Sequence, residues 1–216
     1  MKNNSVAQLF PMKRLILLLT VMLHFALYCT AQTEASLLYN LSLEENIEKT
    51  RTANRKQHEA VYAYQKVQMD ELSKTFTDNV ITTREGEVIM VSIPASKLFA
   101  SNDTILTPSG KALMQKVTKY LRTKDMYRML LVMRSDNTGS MKYLKGLTSS
   151  RVMSITTYLE SLSGIDTDYV IPYAKPLEDY RKDNNTMEGR ALNRRLDIFL
   201  VPGTTMLKQA SSGKIN

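Results

Sequence analysis

The sequence predicts an α/β sandwich, helices packed on a β-sheet, carried behind a long polar helix. Three observations lead there. From residue 79 onward, short apolar runs of strand length alternate with two longer runs of helical periodicity. Residues 34–77 contain neither Pro nor Gly and are almost wholly polar through Glu44–Glu59. Ahead of both lies a basic pair followed by an apolar run that reads as a targeting segment rather than as part of a fold.

That opening segment is Lys13-Arg14 followed by LILLLTVMLHFALYCTA, a charged region, an apolar region and a small residue, Ala31, at a possible cleavage point. Residues 1–31 are therefore read as a signal peptide, with Gln32 as the new N-terminus. The only cysteine, Cys29, follows Ala26, Leu27 and Tyr28, and Tyr28 is larger than the residue a bacterial lipobox takes there. Cleavage after Ala31 would leave a chain with no cysteine and so no disulfide. The apolar run includes His24 and is at the short limit for a spanning helix, which leaves an uncleaved anchor as the alternative.

Residues 32–78 are read as a solvated helical spacer with light apolar anchoring at Leu37, Leu38, Leu41, Tyr62, Met69, Leu72 and Phe76. The globular domain is expected over residues 79–202. Its first strands, Val80–Thr83 and Val88–Ile93, flank the turn signal Glu85-Gly86, and Pro94 ends the second. Thr107-Pro108 is a helix start, and Leu113, Val117, Tyr120 and Leu121 mark one apolar face running to about Arg122. A strand over Met126–Arg134, a helix from about Ser140 to Leu162 stopped by Gly164, and a strand over Asp168–Ala174 follow. A polar loop then leads to a short helical turn capped by Thr186 and a last strand, Arg195–Val201, in which Leu196, Ile198 and Leu200 alternate with Asp197, Phe199 and Val201. Residues 203–216 are Ser/Gly-rich and read as a loose tail.

The stretch Met133–Arg151 singles itself out within this plan. Asp136 sits in a loop leaving a strand, a common place for a binding residue. Arg151 falls in the stripe of the following helix that also carries Leu144, Ile155 and Leu159. A guanidinium there needs an anionic partner, because an unpaired buried charge is costly, and helical side chains lean back toward the loop that holds Asp136. Read from the residues alone, Asp136 and Arg151 pair with each other, Arg151 reaches water at the edge of the stripe, or the two receive a ligand together.

Asp136-Asn137-Thr138-Gly139, then Leu147-Thr148 and Arg151, resemble the TDNTG and LSxxRA motifs of the OmpA-like peptidoglycan-binding domain. Asn185-Thr186, Gly189-Arg190 and Asn193-Arg194-Arg195-Leu196-Asp197-Ile198 resemble that family's NxTxxGRxxNRRVEI ending, and Leu98-Phe99 with Leu106-Thr107-Pro108 and Gly110 resembles its opening. The resemblance implies a β-α-β-α-β-β domain with helices on a mixed sheet. It also implies noncovalent binding of peptidoglycan through the diaminopimelate of the stem peptide, with Asp136 and Arg151 gripping that residue's free zwitterionic end. Backbone amides over Asn137, Thr138 and Gly139 would add donors, and Arg194 and Arg195 match the family's paired arginines, with Arg195 either contacting the ligand or bridging the last strand to the loops. Three departures stand out: Leu144 where the family has Asn, Met133 where it has Gly, and Arg134 where it has His or Tyr. Stator proteins resembling MotB also carry this domain behind a membrane helix, but they need a membrane acid, and residues 15–31 hold no Asp or Glu.

The bulk properties narrow the rest. Formal charge is +8, and removing residues 1–31 with Lys2, Lys13 and Arg14 leaves 26 basic against 21 acidic side chains. That excess suits an acidic wall polymer and would suit nucleic acid equally, but export argues against nucleic acid. A mature chain with His58 as its one histidine and no cysteine offers no metal cluster, and no phosphate loop or nucleophile elbow is present. The loop acids Glu178, Asp179 and Asp183 read as solvated surface. The expectation is a non-enzymatic periplasmic protein without cofactor or metal, binding the wall and serving an outer-membrane protein or envelope complex. Its rivals are a membrane-anchored stator-like protein, a nucleic-acid binder and a wall hydrolase.

Overall fold

The computed structural model describes residue 20 and residues 36–215. The predicted signal peptide, with Cys29 and Ala31, lies outside the described residues apart from residue 20. The chain divides into two compact units, Met1–Asn40 and Leu41–Asn216, and everything below concerns the second.

Its elements in chain order are α1 (Leu43–Glu48), α2 (Arg55–Phe76), β1 (Val80–Thr83), β2 (Val88–Pro94), α3 (Pro108–Gln115), β3 (Tyr127–Met133), α4 (Met141–Glu160), β4 (Val170–Ala174), α5 (Met187–Asn193), β5 (Arg195–Pro202) and α6 (Thr204–Ser212). Most helices start where the sequence supplies a side-chain acceptor for an orphan amide. Asn54 takes the Gln57 amide at 3.0 Å, Thr107 that of Gly110 at 3.0 Å, Ser140 that of Tyr143 at 3.2 Å and Thr186 that of Gly189 at 2.9 Å. Ser42 and Glu45 close a reciprocal capping box on α1.

The five strands form one sheet in the order β1-β2-β5-β3-β4. Only β3 and β4 run parallel, because α4 carries the chain back between them. From β2 onward the order is β-α-β-α-β-β with the short α5 inserted before β5, so the predicted layout on a mixed sheet is the observed one. The predicted helix over 108–122 is shorter: α3 ends at Gln115 and a 3-10 turn follows at Thr118–Leu121.

One face of the sheet carries Ile89, Val91, Ile93, Met129, Leu131, Met133, Leu196, Ile198 and Leu200 into the core, against Val61, Leu72 and Phe76 of α2 and Val152, Ile155 and Leu159 of α4. Side chains of this size contribute roughly 1.5–3 kcal/mol each when fully buried. Here the structure corrects the reading of residues 32–78 as a solvated spacer. Helix α2 packs on the sheet, and its buried positions are Gln57, Val61, Gln65, Leu72 and Phe76. Gln65 donates to the Glu87 carbonyl at 2.7 Å and accepts from the Tyr127 hydroxyl at 2.8 Å. Gln57 donates to the Leu207 carbonyl at 2.8 Å. A stripe whose contacts are partly carboxamide bonds shows little hydropathy, which is why the sequence hides it.

The loose tail is corrected as well. Residues 204–212 form α6, burying Met206 and Ala210 at helical spacing, and Gly213 ends it with φ +67°. The alternation predicted for β5 is present as two faces, yet all eight residues are buried. The opposite face is closed at one end by residues 43–52: Asn46 donates to the Tyr173 hydroxyl on β4, and Thr50 to the Pro202 carbonyl on β5. At the other end it carries a buried ionic cluster.

Candidate binding cleft

Past the C-terminal end of β3, a cleft of about 410 Å³ opens between the Ala95–Asn102 segment after β2, the loop after β3, α4 and α5. Asp136, Thr138, Arg151, Arg190, Arg194 and Tyr143 are among its lining residues.

Asp136 is only 3% exposed. Its Oδ1 accepts the Thr138 amide at 2.9 Å, an Asx turn that fixes the carboxylate, and its Oδ2 is ion-paired with Arg194. The loop can then turn into α4 because Gly139 adopts φ +122° with its missing Cβ facing the Tyr143 ring, where a methyl would lie 2.9 Å from Cδ1. Tyr143 in turn reaches across the cleft to Asn102 Oδ1 at 3.2 Å.

Arg151 is 6% exposed. Its Nε donates to the Asp103 carbonyl at 2.7 Å and its Nη2 to the Ala100 carbonyl at 3.3 Å, and the guanidinium lies 5.0 Å from the centre of the Phe99 ring. Among the described residues no carboxylate comes within ion-pair distance of it. Burial lowers its pKa; Tyr143 and Asp103 oppose that, and the nearby Arg194 adds to it. The site thus holds a desolvated cation with carbonyl partners only.

Asp136, Thr138 and Arg151 are brought to one cleft, but Asp136 and Arg151 are not each other's partners. Asn137 and Gly139 belong to the same loop and are exposed, outside the cleft lining. The Thr138 amide, expected as a free donor, is engaged by Asp136. Arg195 lies elsewhere. It is 2% exposed on the opposite face, where its Nε is 3.0 Å from both Asp197 oxygens and its Nη2 donates to the Asp179 carbonyl at 2.8 Å. Burial pulls its pKa down and Asp197 pulls it back up. Arg134, expected as a basic pocket wall, also turns to Asp197 Oδ2 at 2.8 Å and to the Glu178 carbonyl at 3.1 Å. Asp179, read as solvated, serves both Arg134 and Arg195 although its carboxylate is 66% exposed.

Arg194 and Arg190, quoted for the resemblance but not named as site residues, both line the cleft. The signal was there: in a strand of period two, Arg195 shares the face of Asp197, which commits it to that carboxylate and leaves Arg194 at the helix-strand junction. Arg190 donates to the Asn184 carbonyl at 2.7 Å. It is seated by Gly189, where a Cβ would come 1.9 Å from the Asp183 carbonyl oxygen, so only glycine lets α5 start this close to the preceding loop.

No family model matches the chain. Outer membrane protein A of Bordetella avium is 32% identical over 107 residues, 50% of this chain and 55% of that protein. Probable lipoprotein YiaD of Escherichia coli (strain K12) is 27% identical over 123 residues, 57% of this chain and 56% of that protein. The chain therefore spans little more than half the length of either relative. Among solved structures, a MotB-like protein from Desulfovibrio vulgaris aligns with a TM-score of 0.58 at 21% identity, over 68% of this chain and 99% of its own. The cell wall anchor of the T6SS from Pseudomonas aeruginosa aligns with a TM-score of 0.51 at 21% identity, over 66% and 96%. At such identities the structural likeness speaks to the fold.

Proposed function

We propose that this chain carries an OmpA-like domain, as its likeness to two envelope proteins over about half their length supports, and that it is an exported, non-enzymatic protein that binds peptidoglycan noncovalently and links the cell envelope to the wall. Arg151 takes the carboxylate, and Asp136 the ammonium, of a free diaminopimelate end of the stem peptide. Asn137, Thr138 and Gly139 shape the lip, and Arg195 works from beneath by holding β5 and the Asp179 loop. The observation that carries the reading is Arg151 itself: a guanidinium 6% exposed, facing a cleft, with no carboxylate partner among the described residues. Leaving a buried cation short of an anion costs free energy that an anionic ligand returns. The named relatives, an outer membrane protein and a lipoprotein, support a place in the envelope, and the wall-anchor neighbour shares the fold.

Sedimentation with purified sacculi tests this. The wild type is expected to pellet with the wall. Asp136→Asn keeps the Thr138 hydrogen bond but removes the charge, and Arg151→Lys keeps the charge but loses the fork; both are expected to weaken binding. Release of soluble muropeptides would point instead to a hydrolase. Salt-steep binding to DNA with none to sacculi would point to a nucleic-acid protein.

A further inference from the structure

The arginines that line the cleft are not equally matched. Arg134 has Asp197 and Asp179, and Arg194 has Asp136. Arg151 and Arg190 have backbone carbonyls as their hydrogen-bond partners, and neither has a carboxylate within ion-pair distance among the described residues. The Asp103 carboxylate lies near Arg151, but its Oδ1 accepts the amides of Thr104 at 2.6 Å and Ile105 at 3.0 Å. The cleft thus has two forked cations without anions and one carboxylate already shared with a cation. A lone zwitterion brings one carboxylate and one ammonium, which satisfies Arg151 and Asp136 and leaves Arg190 unmatched. The volume, about 410 Å³, falls in the range of roughly 300–1,000 Å³ typical of pockets that enclose whole small ligands.

We propose that Arg190 is a second anion subsite, so that the cleft takes two carboxylates of one stem peptide, the first on Arg151 and the second on Arg190. This rests on the wall-binding reading above and narrows it to stems that keep both acidic groups free. The second carboxylate has two possible sources in such a peptide: the chain end at the diamino acid, or the α-carboxylate of the preceding glutamate. Amidation of either removes the charge while keeping the shape.

The test is calorimetry with three tripeptide stems, L-Ala-γ-D-Glu-meso-diaminopimelate, its chain-end amide and its glutamate amide, against the wild type, Arg190→Gln and Arg190→Lys. A charge-assisted hydrogen bond at stake predicts that one of the two amides binds the wild type about tenfold or more weakly than the free acid. Which amide does so identifies the source. Arg190→Gln is expected to bind the free acid more weakly and to lose the discrimination, whereas Arg190→Lys keeps part of it. Equal wild-type affinity for the free acid and both amides would overturn this proposal alone. So would a penalty that persists undiminished in folded Arg190→Gln. Should Arg190→Gln fail to fold, the wild-type and Arg190→Lys arms decide. No binding of any stem would overturn the wall-binding reading as well.

Discussion

Two groups of arginines sit at the same end of the sheet and have opposite fates. On the face of β5 away from the core, Asp197 is fully buried and receives Arg134, Arg195 and Arg181, with Ser92 donating to it as well, while Asp179 closes the rim. In the cleft, Arg151 and Arg190 rest on carbonyl oxygens. The first group is matched by anions of the chain and therefore holds structure together. The second faces no carboxylate among the described residues, and the proposed ligand would supply one. Residue type does not separate the two; the presence of a facing carboxylate does.

The most forceful way to break this contrast is at the matched group. Asp197→Asn leaves three guanidinia facing a neutral side chain, and removing one partner of a buried ionic group typically costs about 3–5 kcal/mol. For a domain of this size that predicts a fall in Tm on the order of 10 °C, read by thermal melts, with stem affinity altered only as far as the folded fraction falls. A stable Asp197→Asn protein would show that the buried cluster is not structural.

The cleft side predicts the reverse. Asp136→Asn keeps its Asx turn and gives up a pair whose other member, Arg194, is 44% exposed, so the stability cost is expected to be small, within about 1 kcal/mol. Stem binding is expected to weaken by about 1.5–3 kcal/mol, the usual worth of a hydrogen bond to a charged group. Arg151→Ala should do both, because this residue also ties the Ala100 and Asp103 carbonyls to α4. Affinity by calorimetry beside melts for both variants separates the two effects. Unchanged affinity in folded Asp136→Asn would remove Asp136 from the site.

How much of this the sequence showed follows from how each contact is made. Strands β2 to β5 and helix α4 are apolar periodicities, and they were legible. Arg151 stands out as a charge inside an apolar stripe and Asp136 by its place in the loop leaving β3, and the structure brings both to one cleft. Helix α2 was legible as a helix but not as part of the core, since Gln57 and Gln65 anchor it by hydrogen bonds to partners far along the chain, and no local pattern encodes a carbonyl at Leu207 or Glu87. Helix α6 buries only Met206 and Ala210 on a Ser/Gly-rich background. The different fates of the adjacent Arg194 and Arg195 were not legible in the motif, and only the strand register of Asp197 tells them apart.

The smallest expected effect sharpens the contrast from the other direction, by adding a polar group. Leu144 lines the cleft at 2% exposure, in the place where the resembling family has Asn on the same helical face. Leu144→Asn supplies the ligand with one more hydrogen bond and should tighten stem binding by about 0.5–1.5 kcal/mol. It also exchanges a buried apolar side chain for a carboxamide, so a modest loss of stability accompanies the gain, because a buried leucine is worth roughly 1.5–3 kcal/mol. The helix itself is not at risk: the Thr148 hydroxyl bonds the Leu144 carbonyl at 2.7 Å, a main-chain contact that survives the change. Calorimetry and melts on Leu144→Asn therefore read two numbers whose opposite signs mark a cleft short of partners. A lower Tm with no gain in affinity would mean that the ligand does not pass over this turn of α4, and the pose with its carboxylate on Arg151 would need to be redrawn.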